Sequence, residues 1–127
     1  MIKLTKNQIL TLHKILIQKF GGVVGVRDEN LFDSAANSPF QTFGGQDLYP
    51  KLKEKAARLC YGFVKNHPFF DGNKRIGTHV MELFLKVNKV NLNCTNEDLI
   101  KIIFGVADNS VTYEEFLNWL EAYTNEN

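Results

Sequence analysis

His67-Pro68-Phe69-Phe70-Asp71-Gly72-Asn73-Lys74-Arg75 is the stretch on which the reading of this chain turns. Apolar residues recur at helical spacing before it, at Leu52, Ala56, Leu59, Cys60, Phe63 and Val64, and again after it, at Ile76, Val80, Leu83, Phe84 and Val87. The pattern predicts two packed helices joined by a tight loop. Pro68 disfavours the α conformation at His67 and ends the first helix there, while Gly72-Asn73 opens the second. The second helix therefore points its unpaired amides at a loop that carries an imidazole, a carboxylate, an amide and two cations.

Upstream, Pro50 suits the first turn of the helix that runs to Asn66. Before it, Phe40 to Tyr49 has no helical period, and Gly44-Gly45 sits between short runs rich in aromatics and threonine, which fits either a small hairpin, a flap, or an ordinary surface loop. Asp28 caps a short helix through about Asn37, with Leu31, Phe32 and Ala35 apolar. Thr5 and Gln8 form a capping box for a first helix whose stripe is Ile9, Leu12, Leu16 and Phe20, stopped by Gly21-Gly22. His13 falls on the flank of that helix and reads as a partly buried histidine bonded to a neighbour.

Downstream, the fourth helix extends from Asn73 to about Asn88. After the polar stretch Asn91-Leu92-Asn93, Thr95 with Asp98 starts a fifth, and Thr112 with Glu115 starts a sixth. The tail from Thr124 to Asn127 is expected to fray. The fold class is all-α, a helical bundle with a hairpin flap, and residues 1–127 form a single domain.

At 127 residues a chain buries roughly two-thirds of the surface it exposes when unfolded, so no cofactor is needed to build the core. Fifteen basic against 14 acidic residues leave +1, a balance that argues against a direct nucleic-acid binder. Two cysteines, Cys60 and Cys94, are too few for a disulfide framework or a zinc cluster, and both read as reduced, hence cytoplasmic. No run approaches the ~20 apolar residues of a membrane span, and the start lacks a signal-peptide core.

The chemistry of the central loop is phosphate chemistry. A helix N-terminus offers free N–H groups and partial positive charge, and Gly72 lets backbone come close. Lys74 and Arg75 add full charges where the dipole disfavours cations by ~0.3–1 kcal/mol each unless an anion sits among them. Asp71, the one carboxylate, suits Mg2+ held jointly with phosphates and water. Imidazole ordinarily titrates near neutrality, so His67 is the candidate base for a hydroxyl in line with a bound phosphate. His79, one turn beyond Arg75, either faces the same site or is a bonded structural histidine.

His67 through Arg75 matches HxFx(D/E)GN(G/K)R and so resembles the signature of the Fic/Doc proteins. Arg27-Asp28, Leu31, Ser34-Ala35, Pro39, Gln41-Thr42-Phe43-Gly44-Gly45 and Leu48-Tyr49-Pro50 are similar to the segment ahead of the motif in the death-on-curing branch. The resemblance runs over most of residues 4–120. It implies a Fic fold, a flap that holds a target peptide, and transfer of part of ATP to a protein hydroxyl, with His67 as base, Asp71 as Mg2+ ligand and Gly72, Asn73, Lys74 and Arg75 as the anion site. Lys74 stands where adenylyl-transferring members usually have glycine, which implies a kinase-like toxin acting on a translation factor similar to elongation factor Tu. Gly72, usual in the adenylylating branch, keeps adenylyl transfer as the alternative, and a non-catalytic antitoxin-binding scaffold is the alternative of another class. A Phd-like antitoxin is implied as the partner. Ser110 to Glu115 only approaches the internal inhibitory pattern of some relatives, and Thr112 and Glu115 already serve as a helix cap.

Overall fold

The structure, a computed structural model, describes residues 1–126. The Gln8 amide donates to Thr5 Oγ1 at 3.1 Å and the Thr5 amide to Gln8 Oε1 at 2.8 Å, which starts α1 (Lys6–Phe20). The buried face of α1 is Ile9, His13, Leu16 and Ile17. The expected stripe is thus rotated: His13 joins the core at 1% exposure and Phe20 lies outside it at 48%. Asp28 accepts the Leu31 amide and caps α2 (Glu29–Asn37), which buries Phe32 and Ala35. A 3-10 turn over Ser38–Phe40 follows.

The flap forms as expected. β1 (Thr42–Phe43) and β2 (Gln46–Asp47) pair antiparallel about Gly44 and Gly45, both at positive φ, the geometry that two-residue hairpin turns require. All four strand residues are exposed.

α3 (Leu52–Asn66) and α4 (Asn73–Val87) pack on each other as the centre of the core. They meet through Ala56, Leu59, Cys60, Phe63 and Val64 on one and Ile76, Val80, Met81, Phe84 and Leu85 on the other. Gly77 permits the approach, because a Cβ there would lie 2.9 Å from Val64 Cγ2 and 3.1 Å from the Cys60 carbonyl. Pro50 is not in the first turn of α3, contrary to expectation. The Lys51 amide donates to Glu54 Oε1 at 3.0 Å, which makes Lys51 the N-cap and leaves Pro50 in the connection.

α5 (Asn96–Ala107) and α6 (Tyr113–Ala122) start at the Thr95 and Thr112 caps and complete the core with Leu99, Ile103, Val106, Phe116 and Leu120. Two elements depart from the sequence reading. Val90–Leu92 forms β3, and the tail expected to fray supplies β4 (Thr124–Glu126), paired antiparallel with it. The Asn93 amide donates to the Tyr123 carbonyl at 2.7 Å and the buried Thr124 hydroxyl to the Leu120 carbonyl at 2.8 Å, so the end of α6 ties the tail down. Asn127, also part of that expectation, lies outside the described residues. Among the described residues no helix is long and apolar enough to cross a membrane, and both cysteines are free.

Candidate active site

The loop between α3 and α4 is anchored by its most apolar member. Phe69 is 1% exposed and packs edge-on against Phe32, with ring centroids 5.5 Å apart, and stacks on His13 at 3.7 Å. Burying a phenylalanine stabilises by ~1.5–3 kcal/mol, which fixes the middle of the loop and turns its neighbours His67, Phe70 and Asp71 outward. Asn73 then closes the loop on itself. The Phe69 amide donates to its Oδ1 at 3.0 Å, and its Nδ2 donates to the Phe69 carbonyl at 3.1 Å.

The α1–α2 connection, residues 21–28, runs alongside the loop. The Phe70 amide donates to the Gly25 carbonyl at 3.2 Å, the Arg27 and Asp28 amides donate to the Pro68 carbonyl at 2.7 and 3.1 Å, and Val26 bridges Phe69 antiparallel. The same connection reaches the functional groups. The Val23 amide donates to Asp71 Oδ2 at 2.7 Å, so one carboxylate oxygen is oriented by backbone. The Arg27 guanidinium donates to the carbonyls of His67 and Asn66. Below, His13 Nε2 lies 2.8 Å from the Asp71 carbonyl; a carbonyl only accepts, so His13 carries its proton on Nε2. Burial pulls His13 below the ordinary histidine range, against the opposing pull of the Asp71 carbonyl.

His67 ends α3 in the left-handed region at φ 49°. Gly72, at φ 78°, is the N-cap of α4. A Cβ at Gly72 would meet Ile17 and His13 only at 3.4 and 3.6 Å, so it is the backbone angle more than lack of space that favours glycine. The first turn of α4 holds Asn73, Lys74 and Arg75 and no acidic residue. Lys74 Nζ lies 5.5 Å from the Phe104 ring centroid and the Arg75 guanidinium carbon 3.9 Å from that of Phe20. Both cations line a cleft of about 440 Å³ shared with Phe20, His79, Glu82 and Phe104. His79 therefore faces the cleft, 3.9 Å from Glu82. His67 and Asp71 lie outside its lining.

The structure brings the six residues singled out from the sequence onto one loop and one helix start. It gives the Asn73 side chain wholly to the Phe69 backbone, which leaves the Asn73 main-chain amide as its group at the helix N-terminus. Asp71 is a single carboxylate, and among the described residues no group of three or more His, Cys, Asp or Glu side chains is placed to hold a metal ion. A cation here fits only if phosphate oxygens and water complete its shell, the usual situation for magnesium. Sequence reasoning gave no role to Val23 or Gly25 and none of this kind to His13 or Arg27. The available signal was Gly21, Gly22 and Gly25 within five residues, a density that marks backbone approached closely by another segment.

The bundle thus presents an imidazole, one carboxylate and a cationic helix N-terminus, the kind of helix end that suits an anion, on one braced loop. A model of the Fic/DOC family matches residues 3–85. A curated protein of Mycolicibacterium smegmatis, Toxin Doc, is 40% identical over 89 residues, which cover 70% of this chain and 66% of that protein. The chain belongs to the Fic/DOC family, and the bundle with its flap is the helical Fic fold.

Proposed function

We propose that this protein is the toxin of a toxin–antitoxin pair and that it transfers the γ-phosphoryl group of ATP to a hydroxyl of a translation factor, so halting protein synthesis. The observation that carries the reading is the first turn of α4, where Lys74 and Arg75 stand at a positive helix end with no acidic residue in that turn. The similarity to a protein named Toxin Doc supports the toxin assignment. In the reaction the acceptor oxygen attacks the γ-phosphorus, its proton passes to His67, and the bond to the β-phosphate oxygen breaks to release ADP. The amides of Asn73, Lys74 and Arg75 and the two cationic side chains hold the phosphates and neutralise charge spread over the transferring group. Mg2+, held by Asp71 together with phosphate oxygens, would offset charge on the β- and γ-phosphates. The flap edge at β1 is open to an extended acceptor peptide. An antitoxin segment that covers the loop would silence it.

Adenylyl transfer is the second reading, favoured by Gly72. Position of label decides between them: with ATP labelled at the γ-phosphate the target should become labelled, with α-label it should not, and Lys74→Gly should weaken the γ-transfer. α-Label on the target would make the enzyme an adenylyltransferase. A scaffold without turnover would affect growth alike as wild type and as His67→Ala.

A further inference from the structure

His67 is the residue before a proline, which disfavours the helical conformation, and it takes the left-handed one, as only Lys89 and Asn109 do among the other described non-glycine residues. A helix end leaves its last carbonyls without an intrahelical partner. Here an arginine from the α1–α2 connection supplies donors to the last two. Arg27 Nε and Nη2 donate to the His67 carbonyl at 2.9 and 2.6 Å, and Nη2 also to the Asn66 carbonyl at 3.2 Å. The Arg27 amide donates to the Pro68 carbonyl at 2.7 Å. One residue thus grips the carbonyls before, at and after the one that carries the imidazole. The rest of the loop is fixed elsewhere, Phe69 by burial and Asn73, Asp71 by Val23 and His13. His67 itself is exposed and has only this grip on its backbone among the hydrogen bonds described.

We propose that Arg27 is a positioning residue that fixes the backbone of His67 and so aims its imidazole at the acceptor hydroxyl. This rests on the reading of His67 as the base. A planar fork with several donors spans two carbonyls, whereas a lysine ammonium is a point charge on a flexible stem, so the geometry of the fork and not its charge is what the site uses. The bland alternative is a helix cap that contributes to stability alone. A third role, direct contact of Arg27 with nucleotide phosphates, would act on binding.

The test uses Arg27→Lys and Arg27→Met in the full chain, with folding checked by thermal midpoint; the lysine variant keeps the charge at the helix end should the methionine variant fold poorly. With ATP and the protein acceptor, kcat should fall by about 10²-fold, the scale of a base misplaced by an ångström, while KM for ATP holds. Independently of activity, the ring signal of His67 in histidine-labelled protein, assigned by its absence in His67→Ala, should shift or broaden in both variants while that of His79 stays. A raised KM with kcat kept would overturn the proposal in favour of phosphate binding, and an unmoved His67 signal would overturn it outright. A signal that moves in the variants, with a wild type that transfers nothing from ATP, would uphold the positioning and sink the phosphotransferase reading instead.

Discussion

Asn73 shows how one side chain sets a site without touching its ligands. Its amide satisfies both the N–H and the C=O of buried Phe69, and a buried polar group left unpaired costs ~1–3 kcal/mol. Asn73→Ala should therefore lower stability by roughly 2–6 kcal/mol for the pair and loosen the loop, seen as a lower denaturant midpoint with a greater loss of activity than stability alone predicts. Asn73→Asp, which keeps the acceptor and loses the donor, should fall between. A midpoint unchanged in the alanine variant would mean that Phe69 is held by packing alone. The sequence made this residue visible as part of a motif but not its direction, because a spacing does not say whether an amide faces a ligand or its own backbone. His13 is the complementary case. The spacing reads it as a bonded histidine, which it is, but it is buried in the core rather than partly, and that its partner is the Asp71 carbonyl, 58 residues on, follows only from the fold.

At the scale of elements, helix starts were legible because caps are local. Thr5, Asp28, Thr95 and Thr112 each accept the amide their spacing assigns. β3 and β4 were not, since three residues carry too little pattern to read and their pairing joins Leu92 to Thr124 across two helices. The flap was legible from Gly44-Gly45, but its attachment was not. Buried Lys55 on α3 donates to Asp47 Oδ2 at 3.1 Å and to the carbonyls of Tyr49 and Pro39, so it ties both feet of the hairpin to the core. Isolated hairpins are marginal, which makes this tether the reason the flap is ordered. Lys55→Met should leave the bundle folded, speed cleavage near Gly44 in limited proteolysis, and raise KM for the protein acceptor more than for ATP. Equal cleavage rates in wild type and variant would assign flap order to the strand pairing itself.

Across the whole molecule, the cleft beside α4 concentrates charge at some cost. Burial raises the Glu82 carboxyl, and His79 partly opposes this. A carboxyl raised in the folded state stabilises while it is protonated, below its unfolded value near ~4.3, and that stability is lost as pH rises through the folded value. Glu82→Gln should accordingly melt higher than wild type near neutral pH, with the advantage shrinking on acidification through the carboxylate range. A gap independent of pH would show that the charge is not what Glu82 contributes. The site as a whole depends on two segments far apart in the chain, α1 with its following connection and the motif loop with the start of α4, meeting around Phe69. The central claim is that this assembly moves a phosphoryl group from ATP to a protein hydroxyl with His67 as base, and intact mass tests it most directly. A translation factor incubated with ATP, Mg2+ and wild-type protein should gain the mass of a phosphoryl group, and with folded His67→Ala it should gain nothing. A gain of an adenylyl group, or the same phosphoryl gain with the alanine variant, would contradict the account.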